Sequence, residues 1–261
     1  MLNRFPKTVV TLLLILFSMT SEAQPHLPTG LQRYHLGYSY VVSNARLKYS
    51  YSYPDMYGRL YDTAVDIRMP SKGGFGATMG TYFKVADLGK TSNLNIGLDG
   101  VFNLAVWDME QLYSTEGDDE YLGPYYSTEY TITAGTLHYG LTATLDFKTG
   151  CDAMLDKSQN YCFTFGAGAY PSFAITTFYG LPGFSRLRVQ PVIKTEIGFR
   201  YGVCMKARVL YMPGVFRYMG YEDITPYYEE SFSLESHNNL TLSLLIMPFS
   251  WAWNKDERWI F

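Results

Sequence analysis

Ser236 and His237 are the residues whose types could form a catalytic pair, and Glu235 precedes them directly. A hydroxyl beside an imidazole base is the minimum arrangement for nucleophilic catalysis. Neighbouring residues of a β-strand point to opposite faces, so these two side chains could meet only in an irregular loop. They are the catalytic candidates of the sequence, and a non-enzymatic protein is the favoured interpretation.

Acidic side chains cluster between two predicted strands, at Glu116, Asp118, Asp119 and Glu120. Carboxylate oxygens are ligands for Ca²⁺, which makes Asp118, Asp119 and Glu120 candidate metal ligands. Their spacing is not that of an EF-hand loop, and solvated loop charge is the alternative. The sequence also has no phosphate-binding loop, paired-cysteine zinc motif or dinucleotide fingerprint, so no cofactor is expected.

Cys151 and Cys162 flank one predicted connection between strands. In an oxidising compartment, two cysteines so placed predict a disulfide across the connection, provided that the strict geometry of the bond can be met. Two free thiols are the alternative. Cys204 falls within a strand and is expected to be a small, inert residue.

A two-residue period of apolar side chains predicts β-strands along most of the chain. From Leu187 to Phe199, mostly apolar residues alternate with a mostly polar set that includes Arg188, Lys194 and Glu196. Such a strand has one apolar and one polar face, and it is long enough to cross a bilayer. The same pattern recurs in seven other segments: Arg33–Val42, Gly74–Val85, Asn93–Val106, Thr136–Phe147, Phe163–Ile175, Val203–Tyr211 and Leu240–Ile246.

Eight strands of this kind predict an all-β fold, an antiparallel up-and-down transmembrane β-barrel. A sheet in lipid must close, and at eight strands its interior is filled by side chains. The polar faces then supply a lumen network: Arg33, Lys84, Asp99, Asp146, Arg188, Lys194, Glu196, Arg200, Lys206 and Arg208. This network either holds the barrel together or attracts anions into the lumen.

The lengths of the connections agree with a barrel whose termini are periplasmic, because long and shorter connections mostly alternate. Two further alternating segments, Ala45–Tyr53 and Tyr61–Met69, lie within the first long connection. They are either an external hairpin above eight strands or two more wall strands, making ten.

The N-terminus reads as a secretory signal peptide, residues 1–23. Arg4 and Lys7 supply its positive start, Val9–Phe17 its apolar core, and Ser21 and Ala23 the small residues before the cut. Residues 24–261 are then expected to form a single outer-membrane barrel domain. A formal net charge of −3 gives no basic field for nucleic acid.

The alternating strands and the Tyr-rich mature chain that starts at Gln24 resemble small outer-membrane β-barrel proteins of Gram-negative bacteria, in particular those of the Bacteroidota. The resemblance implies an outer-membrane location and external loops that contact lipopolysaccharide, a surface ligand or a partner protein of the envelope. Some small barrels that edit lipid A use Ser and His, which makes a lipid A deacylase or acyltransferase one alternative. A soluble lipocalin-like binding barrel, with its apolar wall inside, is the other.

Overall fold

The computed structural model describes residues 29–54, 58–111, 130–155, 158–178, 181–225 and 228–253. Within these ranges the strands are β1 His35–Pro54, β2 Leu60–Met69, β3 Ser71–Asp87, β4 Ser92–Gln111, β5 Tyr130–Gly150, β6 Tyr161–Phe178, β7 Leu181–Phe184, β8 Arg188–Tyr201, β9 Val203–Ile224 and β10 Glu229–Met247. Two four-residue helices, α1 (Thr29–Gln32) and α2 (Cys151–Met154), and a 3-10 turn at Ser250–Ala252 complete it. None of the helices in these ranges is long and apolar enough to cross a membrane.

The sheet closes on itself because the first strand pairs with the last. Antiparallel neighbours follow the order β1, β3, β4, β5, β6, β8, β9, β10, and β10 returns to β1 with Leu36 opposite Ile246. These eight wall positions close the ring, as a sheet in a bilayer requires. The predicted eight-stranded antiparallel barrel is confirmed. We call the end at which β1 begins the base, and the opposite end the outer end.

β2 and β7 extend the wall upward without adding positions to the ring. β2 pairs with the outer half of β1, and β3 then pairs with its lower half, where Phe75 faces Tyr40. In the same way β7 pairs with the end of β6, and β8 continues beside β6 from Arg188 opposite Ser172. The outer half of β1 and the whole of β2 therefore form the external hairpin, and the alternative count of ten wall strands is wrong. Most of 213–239, which separates the last two predicted strands, is also strand.

Alternation places the apolar face of each strand outside. On β8 the side chains of Val189 and Ile197 are each 65% exposed, whereas Lys194 and Glu196 are each 1% exposed. The exposed side chains form a continuous apolar belt: Leu36, Tyr38, Phe75, Ile96, Phe102, Tyr139, Leu145, Phe165, Val209, Leu242 and Leu244. A barrel with an apolar belt outside and ionic groups inside suits a lipid bilayer, and a lipocalin-like wall orientation is excluded.

Charged pairs end the apolar belt near the outer end. On β1 the residues that alternate with buried Ala45 and Leu47 are Arg46 and Lys48, and both point outward. Arg46 pairs with Asp66 on β2, and Lys48 pairs with Glu235 on β10. Charges are costly within hydrocarbon, so the edge of the membrane lies below these pairs. The protein thus has the architecture and location of an outer-membrane barrel, and the base, where β1 begins and β10 ends, is the end expected to face the periplasm.

Side chains fill the described part of the lumen from base to outer end. Tyr82, Met247 and Trp253 pack at the base. Above them lies a layer of charged residues, and then a cluster that includes Val101 and Tyr170. The outer third is occupied by large, fully buried side chains: Trp107, Phe216, Tyr218 and Leu234.

Candidate functional site

The charged layer of the lumen contains equal numbers of cations and carboxylates. The cations are Lys148, Lys194, Lys206 and Arg208, and the carboxylates are Asp99, Asp146, Asp152 and Glu196. All eight side chains are at most 2% exposed. They come from the strands β4, β5, β8 and β9 and from α2. Because β4 and β9 lie on opposite sides of the ring, the network joins the two sides.

Arg208 lies at the centre of this network. Its guanidinium donates to Glu196 Oε1 at 2.7 Å from Nε and to Asp99 Oδ1 at 3.2 Å from Nη2. Lys194 Nζ lies 2.6 Å from Asp146 Oδ2, and Lys206 Nζ lies 3.2 Å from Glu196 Oε2. His35 joins through Asp99. Because each ammonium or guanidinium group has a carboxylate partner, the network resembles a structural cross-link more than an anion-attracting pore.

Four residues predicted for the lumen network lie outside this layer. Lys84 is exposed at the base, where it pairs with Asp87, and Arg188 is exposed near the outer end. Arg200 is half-buried at the base, and Arg33 lies beside the ring of Tyr82. The alternation places them correctly on the inward face, but each lies at the end of a strand or before it. Lys84 and Arg188 are exposed there, and Arg33 and Arg200 are partly buried at the base without joining the charged layer. The prediction that these four belong to the lumen network was therefore wrong.

Two members of the network, Lys148 and Asp152, were missed. Lys148 is the next inward-facing residue after Thr144 and Asp146. A predicted strand that extended beyond Phe147 would have included it. Asp152 gave no such signal. It lies on α2, and only the folding of this helix into the base brings its carboxylate to 3.0 Å from Lys148 Nζ and into contact with Lys206.

The predicted disulfide between Cys151 and Cys162 is not present, and this prediction was wrong. Both residues are buried free thiols, and so is Cys204. The three sulfur atoms nevertheless lie within 4.8 Å of one another at the base. Cys204 was expected to be a small, inert residue within a strand, and its place beside the other two thiols was not predicted.

Ser236 and His237 do not form a catalytic pair. Ser236 is buried inside the barrel, whereas His237 is exposed on the outer face next to the irregularity that precedes Asn239. Consecutive residues of a strand point to opposite faces, which explains why these two side chains do not meet. The metal candidates Asp118, Asp119 and Glu120 lie outside the described residues.

The barrel wall opens between β8 and β9 towards the outer end. These two strands pair from Tyr201 opposite Val203 up to Ile193 opposite Tyr211, and within the described ranges their pairing ends there. Above that level β8 and β7 follow β6, whereas β9 follows β10. The two edges approach again where Gly183 of β7 lies against the Met219 side chain. We call the opening between them the β8–β9 cleft.

The β8–β9 cleft has a volume of about 510 Å³ and combines cationic with apolar side chains. Its lining includes Phe184, Arg186, Arg188, Arg217, Met219 and Tyr221. Three arginines oppose one lining carboxylate, Glu222, and Arg217 also pairs with Glu235 at 3.0 Å. Guanidinium groups bind phosphate and carboxylate groups with two parallel hydrogen bonds. The cleft can therefore bind an anion that carries an apolar part.

Comparison with known proteins identifies no family for this chain. No family model matches the chain, and no curated protein matches its sequence. The outer membrane protease OmpT from Escherichia coli is 8% identical, with a TM-score of 0.40 over 82% of this chain and 95% of that one. Neisserial surface protein A is 12% identical, with a TM-score of 0.33 over 80% and 96%.

A third similar structure is Ail, the attachment invasion locus protein of Yersinia pestis. It is 13% identical, with a TM-score of 0.26 over 78% of this chain and 98% of that one. None of these findings supports the expected link to the Bacteroidota. The assignment to the outer membrane rests here on the closed wall, the exposed apolar belt and the ionic lumen.

Proposed function

We propose that this protein is a non-enzymatic outer-membrane barrel that binds the phosphorylated headgroup of lipopolysaccharide in the β8–β9 cleft. The observation that carries the proposal is the break in strand pairing above Ile193 and Tyr211, which exposes Arg186 and Arg188 beside Arg217. A continuous wall would leave no concave surface at this level.

The position of the cleft suits an amphiphile of the outer leaflet. Phe184 and Val215 are exposed apolar residues on its two flanks, and Arg217 lies two residues beyond Val215 on β9. A lipid bound here would keep its acyl chains against the belt and its phosphates against the guanidinium groups. Arg186 and Arg188 are both exposed, so a ligand reaches them without any rearrangement of the wall.

An enzymatic role has less support, because Ser236 and His237 lie on opposite faces of the wall. The cations of the lumen are paired with carboxylates, so the lumen has little net charge to attract an anion. Binding at the outer surface, through the cleft and the neighbouring loops, is the function that these observations favour.

Binding of purified lipopolysaccharide to the detergent-solubilised barrel tests the proposal. The double variant Arg186→Gln/Arg188→Gln should bind at least tenfold more weakly, since a hydrogen bond to a charged group contributes about 1.5–3 kcal/mol. Lys90→Gln, an exposed change in a turn at the base, is the matched control and should bind normally. Equal affinity of the double variant and the wild type, or unchanged binding of dephosphorylated lipopolysaccharide, would refute the proposal.

A further inference from the structure

The three cysteines of the chain meet at one point in the base of the barrel. Cys151 begins α2, Cys162 lies on β6 and Cys204 lies on β9, and all three are buried. Their sulfur atoms lie within 4.8 Å of one another, and the distance between Cys162 Sγ and Cys204 Sγ is 4.0 Å. The lumen network and the β8–β9 cleft make no use of this cluster, which we call the thiol cluster.

Two glycines allow the sulfur atoms to meet. Gly198 on β8 is paired with Cys162, and it lies between β6 and β9. A Cβ on Gly198 would lie 2.6 Å from Cys162 Sγ and 2.8 Å from Lys206 Cγ, so the glycine leaves the space that the sulfur enters. Gly150 has a φ of 92°, which L side chains rarely adopt, and a Cβ there would strike the carbonyl oxygen of Tyr161. It turns the chain so that Cys151 reaches the cluster.

A disulfide between Cys162 and Cys204 does not suit this arrangement. Their strands are separated by β8, and two strand spacings put the backbones roughly 9–10 Å apart. Disulfides require Cα atoms within about 7 Å, so this bond would need movement of the wall. A disulfide between Cys151 and either Cys162 or Cys204 would leave the third cysteine as a thiol. Neither pairing explains why three cysteines converge.

The spacing fits three sulfur ligands around one metal ion. With metal–sulfur bonds of about 2.3 Å, a trigonal arrangement places the sulfur atoms about 4.0 Å apart, which matches the pair from β6 and β9. Within the described residues no histidine or carboxylate joins the group at this spacing. Met247, Leu155 and Trp253 pack around it and supply apolar walls.

We propose that the thiol cluster is a binding site for Cu(I). Sulfur-only ligand sets select soft ions such as Cu(I), whereas structural zinc sites almost always have four ligands. On binding, thiol protons are released to the solvent as the sulfur atoms bond to the metal, with no change in the oxidation state of either. The site lies at the periplasmic base, so it would draw copper from the periplasm.

The test is an anaerobic titration of the full-length, folded barrel in detergent with Cu(I), in competition with a chromogenic Cu(I) chelator. The wild type should retain one equivalent of copper, and X-ray absorption should show three sulfur ligands. Cys162→Ser and Cys204→Ser should each lower retention at least tenfold. Met205→Leu is the matched control, because this thioether lies beside Cys204 on β9 but is exposed on the outer face.

The wild-type measurement decides the proposal even if a cysteine variant fails to fold, and the heat-dependent shift in gel mobility identifies folded barrels. Failure of the wild type to compete for Cu(I) would overturn the proposal. So would unchanged retention by folded Cys162→Ser and Cys204→Ser, tighter binding of Zn(II) than of Cu(I), or isolation of the native barrel with a Cys151–Cys162 disulfide.

Discussion

Asp152 shows how one carboxylate supports the base of the barrel. Burial alone raises the pKa of this group, but the ammonium groups of Lys148 and Lys206 outweigh that effect and hold the pKa below its ordinary value of 3.8. A lowered pKa means that the ionised carboxylate stabilises the folded state at neutral pH. This contribution is present above about pH 4 and is lost as the pH falls through the lowered pKa.

Asp152→Asn should therefore lower the free energy of unfolding at pH 7 by about 3–5 kcal/mol, the usual effect of removing one partner from a buried ion pair. The difference from the wild type should shrink as the pH falls below about 4. Urea unfolding in lipid vesicles, followed by tryptophan fluorescence from pH 7 to pH 3, measures both. Asp66→Asn, which removes an exposed pair with Arg46, serves as the control and should have little effect. A difference in unfolding free energy that stays constant with pH would contradict a stabilising role for the ionised Asp152 carboxylate.

At the scale of elements, β8 and β9 are neighbouring strands that pair over only part of their length. β4 and β5 pair without interruption from Ser92 opposite Thr149 to Gln111 opposite Tyr130. The β8–β9 seam stops at Ile193 and Tyr211, because β8 leaves β9 to remain beside β6. Backbone groups on the open edges then depend on water or a ligand for hydrogen bonds.

Amides that face the open part of this seam should exchange with solvent much faster than those in its paired part. A difference of about 2.8 kcal/mol in opening free energy corresponds to roughly a hundredfold in rate. Residue-resolved hydrogen exchange by NMR in micelles measures this on both sides of Ile193. The β4–β5 seam provides the internal control and should show uniform protection. Uniform protection along β8 and β9 would show that the seam closes in solution.

At the scale of the whole molecule, the barrel is a closed wall around a filled interior. The charged layer, the Val101 and Tyr170 cluster and the aromatic cluster around Trp107 occupy successive levels of the lumen. Protein interiors pack too densely for ions to pass. The lumen therefore acts as a core, and interaction with other molecules belongs to the surfaces of the barrel.

The purified barrel should give no steady ion conductance in planar lipid bilayers. The physical reason is that fully buried side chains such as Trp107 and Arg208 block the route along the barrel axis. Current recordings at 100 mV measure this, with a general porin inserted in the same bilayer as the positive control. Stepwise, lasting currents from the folded protein would contradict a filled lumen.

The sequence by itself determined the class of fold and the two faces of each strand, and it left a lipocalin-like orientation of the wall as an alternative. Strict alternation, as in Val189, Ile193 and Ile197 against Lys194 and Glu196, depends only on the two-residue period of an extended chain. That period separates two faces, and closure in lipid assigns the polar one to the interior. It also anticipated that Ser236 and His237 would lie apart, and it predicted eight wall strands, with ten as the alternative.

Only the tertiary structure decided which residues meet. Cys204 reaches Cys162 across Gly198, and Asp152 reaches Lys206 through the fold of α2, although neither pair is close in sequence. The arginines of the β8–β9 cleft are exposed because two strands part at Ile193. The physical reason is that alternation fixes the face of each residue but not its level along the barrel. That level depends on strand register, strand length and closure, which arise only when the whole sheet pairs.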